Sequence, residues 1–344
     1  GRALLAQGDR RAAEAAFRRA LTLDPHDGAA HAALGDLHLT AGENAAALAA
    51  FRDGIEADPT DAGNYLRIAP ILVALGQLDA AIELVRKGGD ISPGNPALHA
   101  ALGRLLLRRE NWDEGWRRYK RRLRVPPLSH ERHRFAQPLW DGGALQDRRI
   151  CVQFEPDVGE SLALLRYLGP LLDSGAKIVL RCPAALRALL APLSDRISIC
   201  TPDDALPPFD CQVWLGNLPL LLRQSDPAAL PPAPERFGDQ PSTTRWAGRG
   251  AQLARPIIGL HWRSAGRARP FREPGRLLET FATYERGLIG LQDRTVADEV
   301  AAAGMADMMI LVGSELAANG DIRVELAGAI AQCDLVVAVD SPVA

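Results

Sequence analysis

Two carboxylates, a glycine and a hydroxyl lie close together after a short apolar run. The run Ile150–Phe154 is rich in β-favouring residues, and Asp157, Gly159, Glu160 and Ser161 follow it. A Leu-rich amphipathic segment comes next, so the pattern predicts a strand, a turn and a helix. In parallel α/β sheets, ligands bind beyond the carboxyl ends of strands and near helix N-termini. A carboxylate at that position can accept a proton from an attacking hydroxyl.

The composition of the chain is that of an ordinary globular protein. It has 344 residues, of which 47% are hydrophobic and 24% charged, and a net charge of −2. This charge gives no general attraction to nucleic acid, and no apolar run is long enough to predict membrane insertion. The five cysteines have no metal-ligand spacing, so we expect buried free thiols, no metal site and a cytoplasmic location.

Internal periodicity is the strongest pattern in the first third of the chain. Small, aromatic and proline residues recur every 34 positions. The recurring sets are Gly8, Gly42 and Gly76; Ala13, Ala47 and Ala81; Phe17, Phe51 and Val85; Pro25, Pro59 and Pro93; and Gly1, Gly35 and Ala69. This period resembles the tetratricopeptide repeat, a pair of antiparallel helices. We expect the Gly8 series to let paired helices approach and turn, and each Asp-Pro to end a helix. The first copy begins within the motif, which predicts further repeat sequence before residue 1.

A fourth, atypical copy spans Asn95–Arg124, and such copies usually cap a repeat array. Its last part, Arg104–Arg124, has nine Lys or Arg residues against three acidic ones. One interpretation is a basic surface for an anionic partner. The favoured interpretation is a capping helix whose aromatic stripe packs on the next domain while its arginines are solvated.

From Arg149 onward, strand-like and helix-like segments alternate, which predicts parallel sheets covered by helices. The last strand-like run ends in Asp340-Ser341 without a following helix, so we expect the final domain to be incomplete. The predicted organisation has five parts. They are a repeat array at 1–124, a linker at 125–148, an α/β domain at 149–235, a second linker at 236–254 and a second α/β domain at 255–344.

Three motifs in this order resemble the bacterial tetratricopeptide-repeat glycosyltransferases, whose catalytic region is similar to the heptosyltransferase-like family 9. They are Asn111–Trp116, Pro138–Gly142 and the strand and turn at Cys151–Glu160. The resemblance implies a GT-B architecture, in which two Rossmann-like domains form a cleft. It also implies metal-independent transfer from a nucleotide-sugar, with no cofactor, to a protein or glycan acceptor.

The resemblance also implies roles for individual residues. The family has Glu-Gln-Gly-Leu-Gly-Asp at the first turn, and its last Asp is the candidate base. Glu160 aligns with that Asp, and Asp157 is a second candidate on the same acceptor-side loop as Gly159 and Ser161. Glu160 is alternatively an acid that only stabilises a helix N-terminus.

A second set of residues is implied to bind the donor. The set comprises Trp262, Arg263, Ser264, Arg267, Asp340 and Ser341. The arginines would contact the diphosphate, although a solvated Arg-rich loop explains them equally well.

Two functional hypotheses follow. The first is a glycosyltransferase whose repeats recruit the acceptor, although this chain would be inactive if its donor site is incomplete. The second is a repeat scaffold with a degenerate transferase-like domain, which Pro156 and Pro342 favour because they depart from the family pattern. A nucleic-acid-binding protein ranks third because the net charge is close to zero.

Overall fold

Helices form the first part of the protein, and parallel strands with helices form the rest. The computed structural model describes residues 1–131, 133–230, 240–261, 287–291, 297–302, 309–312 and 322–338. One compact unit consists of Gly1–Ala136 with Pro219–Pro227, and the other of Gln137–Leu218 with Ala228–Ala344. The boundaries of the five parts predicted above remain a prediction.

The helical unit consists of successive antiparallel helix pairs, as the 34-residue period predicts. Its helices are α1 (Arg2–Ala6), α2 (Arg10–Leu23), α3 (Gly28–Thr40), α4 (Asn44–Ala57), α5 (Ala62–Ala74), α6 (Leu78–Ile91), α7 (Pro96–Arg108), α8 (Trp112–Tyr119), continued by the 3₁₀ helix Lys120–Arg124, and α9 (Leu128–Glu131). Side-chain caps set several starts. The carboxylates of Asp9 and Asp27 accept hydrogen bonds from the backbone N–H groups of Ala12 and Ala30, each at 3.0 Å.

The two recurring glycine series have different roles. Gly8, Gly42 and Gly76 have φ values of +81°, +78° and +74°, so they supply the left-handed turn between paired helices. Our expectation that they also allow close helix approach is wrong, because a Cβ at Gly8 would have no neighbour within 4 Å. Close approach occurs at Gly35, where a Cβ would lie 2.3 Å from the ring of Phe51.

The fourth copy keeps the repeat geometry with other residue types. Glu110 replaces the turn glycine and has φ of +61°. Tyr119 and Leu123 are buried, as is Trp116, whose indole N–H donates to the carbonyl of Ser225 at 2.9 Å. Ser225 belongs to Pro219–Pro227, which is part of the helical unit, so the aromatic stripe packs within this unit.

Two four-stranded parallel sheets confirm the predicted α/β pattern. Their orders are β3-β2-β1-β4 and β7-β6-β5-β8. The strands are β1 (Arg149–Gln153), β2 (Lys177–Arg181), β3 (Ser198–Cys200), β4 (Cys211–Trp214), β5 (Ile257–His261), β6 (Gly287–Gly290), β7 (Met309–Leu311) and β8 (Leu335–Ala338).

Short helices follow strands of the first sheet, namely α10 (Val158–Leu164), α11 (Leu168–Asp173) and α12 (Arg187–Leu190). The helix after β4, α13 (Leu218–Leu221), lies almost wholly in the helical unit. Three helices accompany the second sheet, namely α14 (Gln240–Gly250), Ala297–Ala302 and Ile322–Ile330. The Leu-rich helix predicted after the first strand and turn is divided by the 3₁₀ turn Leu165–Tyr167. Pro170 lacks a backbone N–H, so the α-helical hydrogen bonding cannot run through unbroken.

The sequence 137–148, assigned to a linker above, contacts the first sheet. The backbone N–H of Trp140 donates to the carbonyl of Gln212 at 2.8 Å, and the N–H of Gln212 donates to the carbonyl of Pro138 at 3.0 Å. Trp140 and Leu145 are buried. This segment therefore belongs to the α/β unit. No helix in the described ranges is long and apolar enough to cross a bilayer.

All five cysteines are free, and Cys151, Cys182, Cys200 and Cys211 are buried in or directly after strands of the first sheet, as predicted, whereas Cys333 is half-buried. Burial raises the pKa of the Cys151 thiol to about 12 and that of Cys333 to about 11. These thiols stay neutral in the folded protein at a pH where the unfolded chain ionises them.

The close packing at Gly35 leads to a stability prediction. Gly35→Ala places a methyl group against Phe51, and we expect it to lower the free energy of unfolding by about 1–3 kcal/mol. The third copy has Ala69 and Val85 at the equivalent positions, both buried in one cluster. Gly35→Ala combined with Phe51→Val should therefore lose less than the sum of the single changes. Urea titration followed by far-UV circular dichroism measures this.

Gly28→Ala is the control, because its Cβ would meet Asp58 at an ordinary 3.5 Å. Additive losses in the double variant would contradict the packing argument.

The buried thiols predict a dependence of stability on pH. The folded-state pKa of Cys151 lies above its unfolded value of 9.0. The contribution of the neutral thiol to the free energy of unfolding is therefore fully present below pH 9 and is lost as the pH rises towards 12. Between pH 8 and 10 we expect this thiol to cost roughly 1–1.5 kcal/mol. Cys151→Ala should lose less stability across that interval than the wild type in urea titrations. Equal pH slopes in the two proteins would show that the thiol does not ionise on unfolding.

Candidate functional site

The strand order defines where a ligand would bind in each sheet. The first sheet runs from β1 outward through β2 to β3, and then β4 is added on the other side of β1. Such a reversal creates a crevice at the carboxyl ends of the two central strands, where α/β proteins bind ligands. The loop after β1 and the 3₁₀ turn Leu215–Asn217 after β4 therefore flank the candidate site.

Glu155 connects these two loops. Its side chain is only 3% exposed, and its Oε1 atom accepts a hydrogen bond from the backbone N–H of Gly216 at 2.8 Å. The backbone N–H of Glu155 donates to the hydroxyl of Ser161 at 2.8 Å. Our sequence reasoning did not select Glu155. A carboxylate at the end of an apolar strand was the available signal, because a buried acid must be hydrogen-bonded.

Ser161 stabilises the first loop from the inside. It is fully buried, and its hydroxyl lies 3.0 Å from the carbonyl of Asp157 and 3.3 Å from that of Glu155. With one proton, the hydroxyl donates to one of these carbonyls at a time while accepting from the Glu155 N–H. Ser161 is therefore a structural residue of the acceptor-side loop predicted from sequence, and a bound acceptor would not reach it.

The two predicted catalytic carboxylates occupy different environments. Asp157 is exposed and is the N-cap of α10, accepting a hydrogen bond from the backbone N–H of Glu160 at 2.9 Å. Its negative charge also favours the positive end of the helix. Glu160 lies within the first turn and is half-buried, like Gly159. The structure thus brings both carboxylates to one loop and gives Asp157 a capping role.

A polar face of the first sheet lies beside this loop. The side-chain amide of Gln153 donates to the amide oxygen of Gln212 at 2.7 Å, and Gln212 donates to the carbonyl of Gln137 at 2.8 Å. Gln153 is opposite Trp214 in the strand register, and both side chains are buried. The Oε1 of Gln153 and the Nε1 of Trp214 have no hydrogen-bond partner within the described residues. Each costs about 1–3 kcal/mol in this state, which marks the end of β1 and β4 as suited to polar groups.

The second sheet repeats this arrangement. Its reversal point lies between β5 and β8, whose last residues, His261 and Ala338, are paired. The predicted donor-binding residues follow these two strand ends in the sequence. All six, namely Trp262, Arg263, Ser264, Arg267, Asp340 and Ser341, lie outside the described residues.

Two buried contacts organise the second half of the α/β unit. The carboxylate of Glu325 is buried and accepts a hydrogen bond from the indole of Trp246 at 2.8 Å. The guanidinium of Arg245 also pairs with Glu325. In the same helix, Ile322–Ile330, Arg323 donates to the carbonyl of Ala185, which lies in the 3₁₀ turn Ala184–Leu186 after β2. This helix of the second half therefore contacts a segment that follows a strand of the first sheet.

Comparison with known proteins identifies the helical part. Residues 1–62 match the tetratricopeptide repeat family model, so the chain contains such a repeat. No curated protein sequence matches the chain.

Several solved tetratricopeptide-like structures are similar to the chain. The crystal structure of MamA is 21% identical, covers 39% of this chain and 77% of its own, and has a TM-score of 0.33. YrrB, described as a TPR protein with an unusual peptide-binding site, is 17% identical, with 37% and 65% covered and a TM-score of 0.31. A tetratricopeptide repeat protein from Parabacteroides merdae is 15% identical, with 50% and 58% covered and a TM-score of 0.34.

The Glu155 contact predicts a local stability effect. Glu155→Ala leaves the buried N–H of Gly216 without its acceptor, so we expect a loss of roughly 2–3 kcal/mol in the unfolding of the α/β unit. Glu155→Gln keeps an acceptor oxygen and should lose under about 1 kcal/mol. Urea unfolding followed by tryptophan fluorescence measures both variants. The half-buried Glu160→Ala is the matched control, and an equal loss there would contradict a specific role for Glu155.

Proposed function

We propose that this protein is a glycosyltransferase that moves a sugar from a nucleotide-sugar to a protein or glycan acceptor recruited by its tetratricopeptide repeats. The observation that carries the proposal is the repeated strand order, β3-β2-β1-β4 and β7-β6-β5-β8, in one α/β unit. Two Rossmann-like halves of this kind are what a GT-B transferase requires. The reversal point of the first half lies next to Cys151–Glu160, which resembles family 9 sequences, and the predicted donor-binding residues follow the strands at the reversal point of the second half.

In the proposed reaction, the acceptor hydroxyl oxygen attacks the anomeric carbon of the donor sugar. The bond from that carbon to the diphosphate oxygen breaks, and the nucleoside diphosphate leaves with the electron pair. Glu160 takes the hydroxyl proton as general base, and Asp157 is the second candidate. The half-buried position of Glu160 on the first crevice loop supports this assignment, whereas the capping bond of Asp157 makes it the weaker base.

The donor would be held by the second half. Arg263 and Arg267 would neutralise the diphosphate, while Ser264, Ser341 and Asp340 would contact its phosphates or sugar, with Trp262 beside them. The first half would hold the acceptor, and the polar end of β1 and β4 suits a hydroxyl-rich molecule. As in GT-B enzymes generally, no metal takes part in the proposed step. The reduced cysteines support a cytoplasmic location.

A protein-interaction scaffold is the second candidate function. The match to the repeat family and the helical pairs of residues 1–124 support protein partners. The loop after β1 supports it as well, because Asp157 caps a helix and Ser161 is buried. In that case the α/β unit would have lost its chemistry while keeping its fold.

Nucleotide-sugar binding and turnover by the full-length protein test the proposal. We expect one member of a nucleotide-sugar panel to bind in calorimetry and to be hydrolysed or transferred. Glu160→Gln should lower kcat by about 10²–10⁴ with little effect on donor affinity, because it removes only the proton acceptor. Asp157→Asn keeps the cap acceptor and serves as the matched control.

The outcomes separate the hypotheses. If no nucleotide-sugar binds and none is turned over, the transferase proposal is wrong and the scaffold remains. If turnover occurs and Glu160→Gln leaves it intact while Asp157→Asn abolishes it, the reaction stands and the base is Asp157.

A further inference from the structure

The first helix of each pair carries a recurring apolar residue that packing within the repeats does not fully cover. Leu5, Leu39, Val73 and Leu107 are 34 residues apart. Leu5 and Leu39 are 38% and 37% exposed, and Val73 and Leu107 are half-buried. The array therefore has a partly apolar surface that continues from one first helix to the next.

Charged residues and a proline lie on the same side of these helices. Residues three or four positions apart are neighbours on a helix surface. Arg67 of α5 donates from its Nε atom to the carboxylate of Asp36 of α3 at 2.9 Å, so these sides of two successive first helices adjoin. We define the first-helix face by two residues of each helix, namely Asp36 and Leu39 of α3, Pro70 and Val73 of α5, and Arg104 and Arg108 of α7.

The charge that remains uncompensated on the first-helix face is positive. Asp36 forms an ion pair with Arg67 and adds no net charge. Arg104 and Arg108 are exposed, and neither makes an ion pair within the described residues. The guanidinium of Arg104 lies 5.9 Å from the ring centre of Tyr119, which orients its charge without neutralising it.

Helix α7 alone does not account for these two arginines. Like charges four residues apart repel each other on a helix. A helix C-terminus favours a cation in its last turn, where Arg108 lies, but Arg104 lies one turn earlier. Glu110, in the turn after α7, is exposed and pairs with neither arginine within the described part of the chain. An acidic group from outside the chain would relieve the repulsion.

Pro70 adds a backbone acceptor to the face. It is exposed and lies inside α5. Because proline has no N–H, the carbonyl of Leu66, four residues earlier, loses its helical hydrogen bond. Such a carbonyl accepts a hydrogen bond from water or from the N–H of a bound chain. An extended polypeptide presents N–H groups along its whole length.

Other occupants fit this face less well. A nucleic acid would require exposed aromatic rings for base stacking, and none is among the residues that define the face. A membrane surface with anionic headgroups would contact the arginines but offers no backbone N–H to the carbonyl of Leu66. The same face of a second copy would bring no uncompensated acid to Arg104 or Arg108, because its Asp36 is already paired.

We propose that the first-helix face binds an extended acidic segment of a protein partner. An acidic residue of the segment binds Arg104 and Arg108, an apolar residue packs on Leu39 and Val73, and a backbone N–H donates to the carbonyl of Leu66. The proposal rests on the part of the proposed function that both candidates share, namely that the repeats bind a protein. Packed helices lie about 8–10 Å apart and an extended chain advances about 3.3 Å per residue, so the acidic and apolar residues are about three positions apart.

Fluorescence anisotropy with the whole chain tests the proposal. The probe is a labelled synthetic peptide in which glutamate and leucine alternate at every third position among serines. We expect saturable binding that weakens at least about tenfold when lysine replaces each glutamate. Arg104→Glu with Arg108→Glu should weaken binding of the glutamate peptide by at least about tenfold as well.

The matched control reverses two charges away from the face. Arg52 and Lys87 are exposed on the second helices α4 and α6. Arg52→Glu with Lys87→Glu should bind the glutamate peptide like the wild type, and circular dichroism should show every variant folded.

Pro70→Ala separates ligand binding from a purely structural role. The new N–H bonds to the carbonyl of Leu66, so the urea midpoint of unfolding should rise. The affinity for the glutamate peptide should fall about three- to tenfold, because that carbonyl no longer accepts from the ligand. A residue that only shapes the helix would change the midpoint and leave the affinity as it was.

Three results would overturn the proposal. They are a glutamate peptide that binds no better than the lysine peptide, arginine reversals that match the control, and a Pro70→Ala variant with raised stability and unchanged affinity. Nucleotide-sugar turnover by the same proteins distinguishes this failure from failure of the transferase proposal. If turnover persists while the peptide does not bind, the transferase stands and the assignment of this face is wrong.

Discussion

The hydrogen bond from the Gly216 N–H to the buried Glu155 carboxylate fixes the crevice of the first sheet. A carboxylate with 3% exposure is stable only when its oxygens are hydrogen-bonded. The loops after β1 and β4 must therefore keep their relative positions, so that the Gly216 N–H reaches this carboxylate. The Ser161 hydroxyl continues this support into the first turn of α10. Glu160 is therefore carried by a loop that these hydrogen bonds hold in place, as the proposed general base would require.

Three copies of the helical repeat share a hydrogen bond from a side chain to a backbone carbonyl, in addition to their apolar packing. Side chains at equivalent positions donate to the carbonyl of the preceding loop proline. The pairs are His31 with Pro25, Tyr65 with Pro59, and His99 with Pro93, at 3.0, 3.1 and 2.8 Å. Histidine and tyrosine replace each other because both place a donor at similar reach. The periodic small residues alone do not indicate this bond, since the donors differ in type.

The basic run at the end of the helical array is partly structural. Arg104 and Arg122 both lie over the ring of Tyr119, at 5.9 and 4.3 Å, so part of the basic run is structural. Other arginines of this run are ion-paired, Arg109 with Asp79 and Arg118 with Glu114, so the charge count overstates the positive charge that is left unpaired.

The sequence by itself determined the helical repeat, the parallel strands and the loop that carries Asp157 and Glu160. These follow from local periodicity and turn chemistry, which act over a few residues. Tertiary structure decided that Gly35 rather than Gly8 is the close contact, and that Ser161 is buried. It also showed that Asp157 caps a helix and that Glu155 joins two loops. Such roles depend on which segments meet across long sequence separations, as Glu155 and Gly216 do. The same loop that drew attention through its residue types is thus positioned by a carboxylate outside the predicted set.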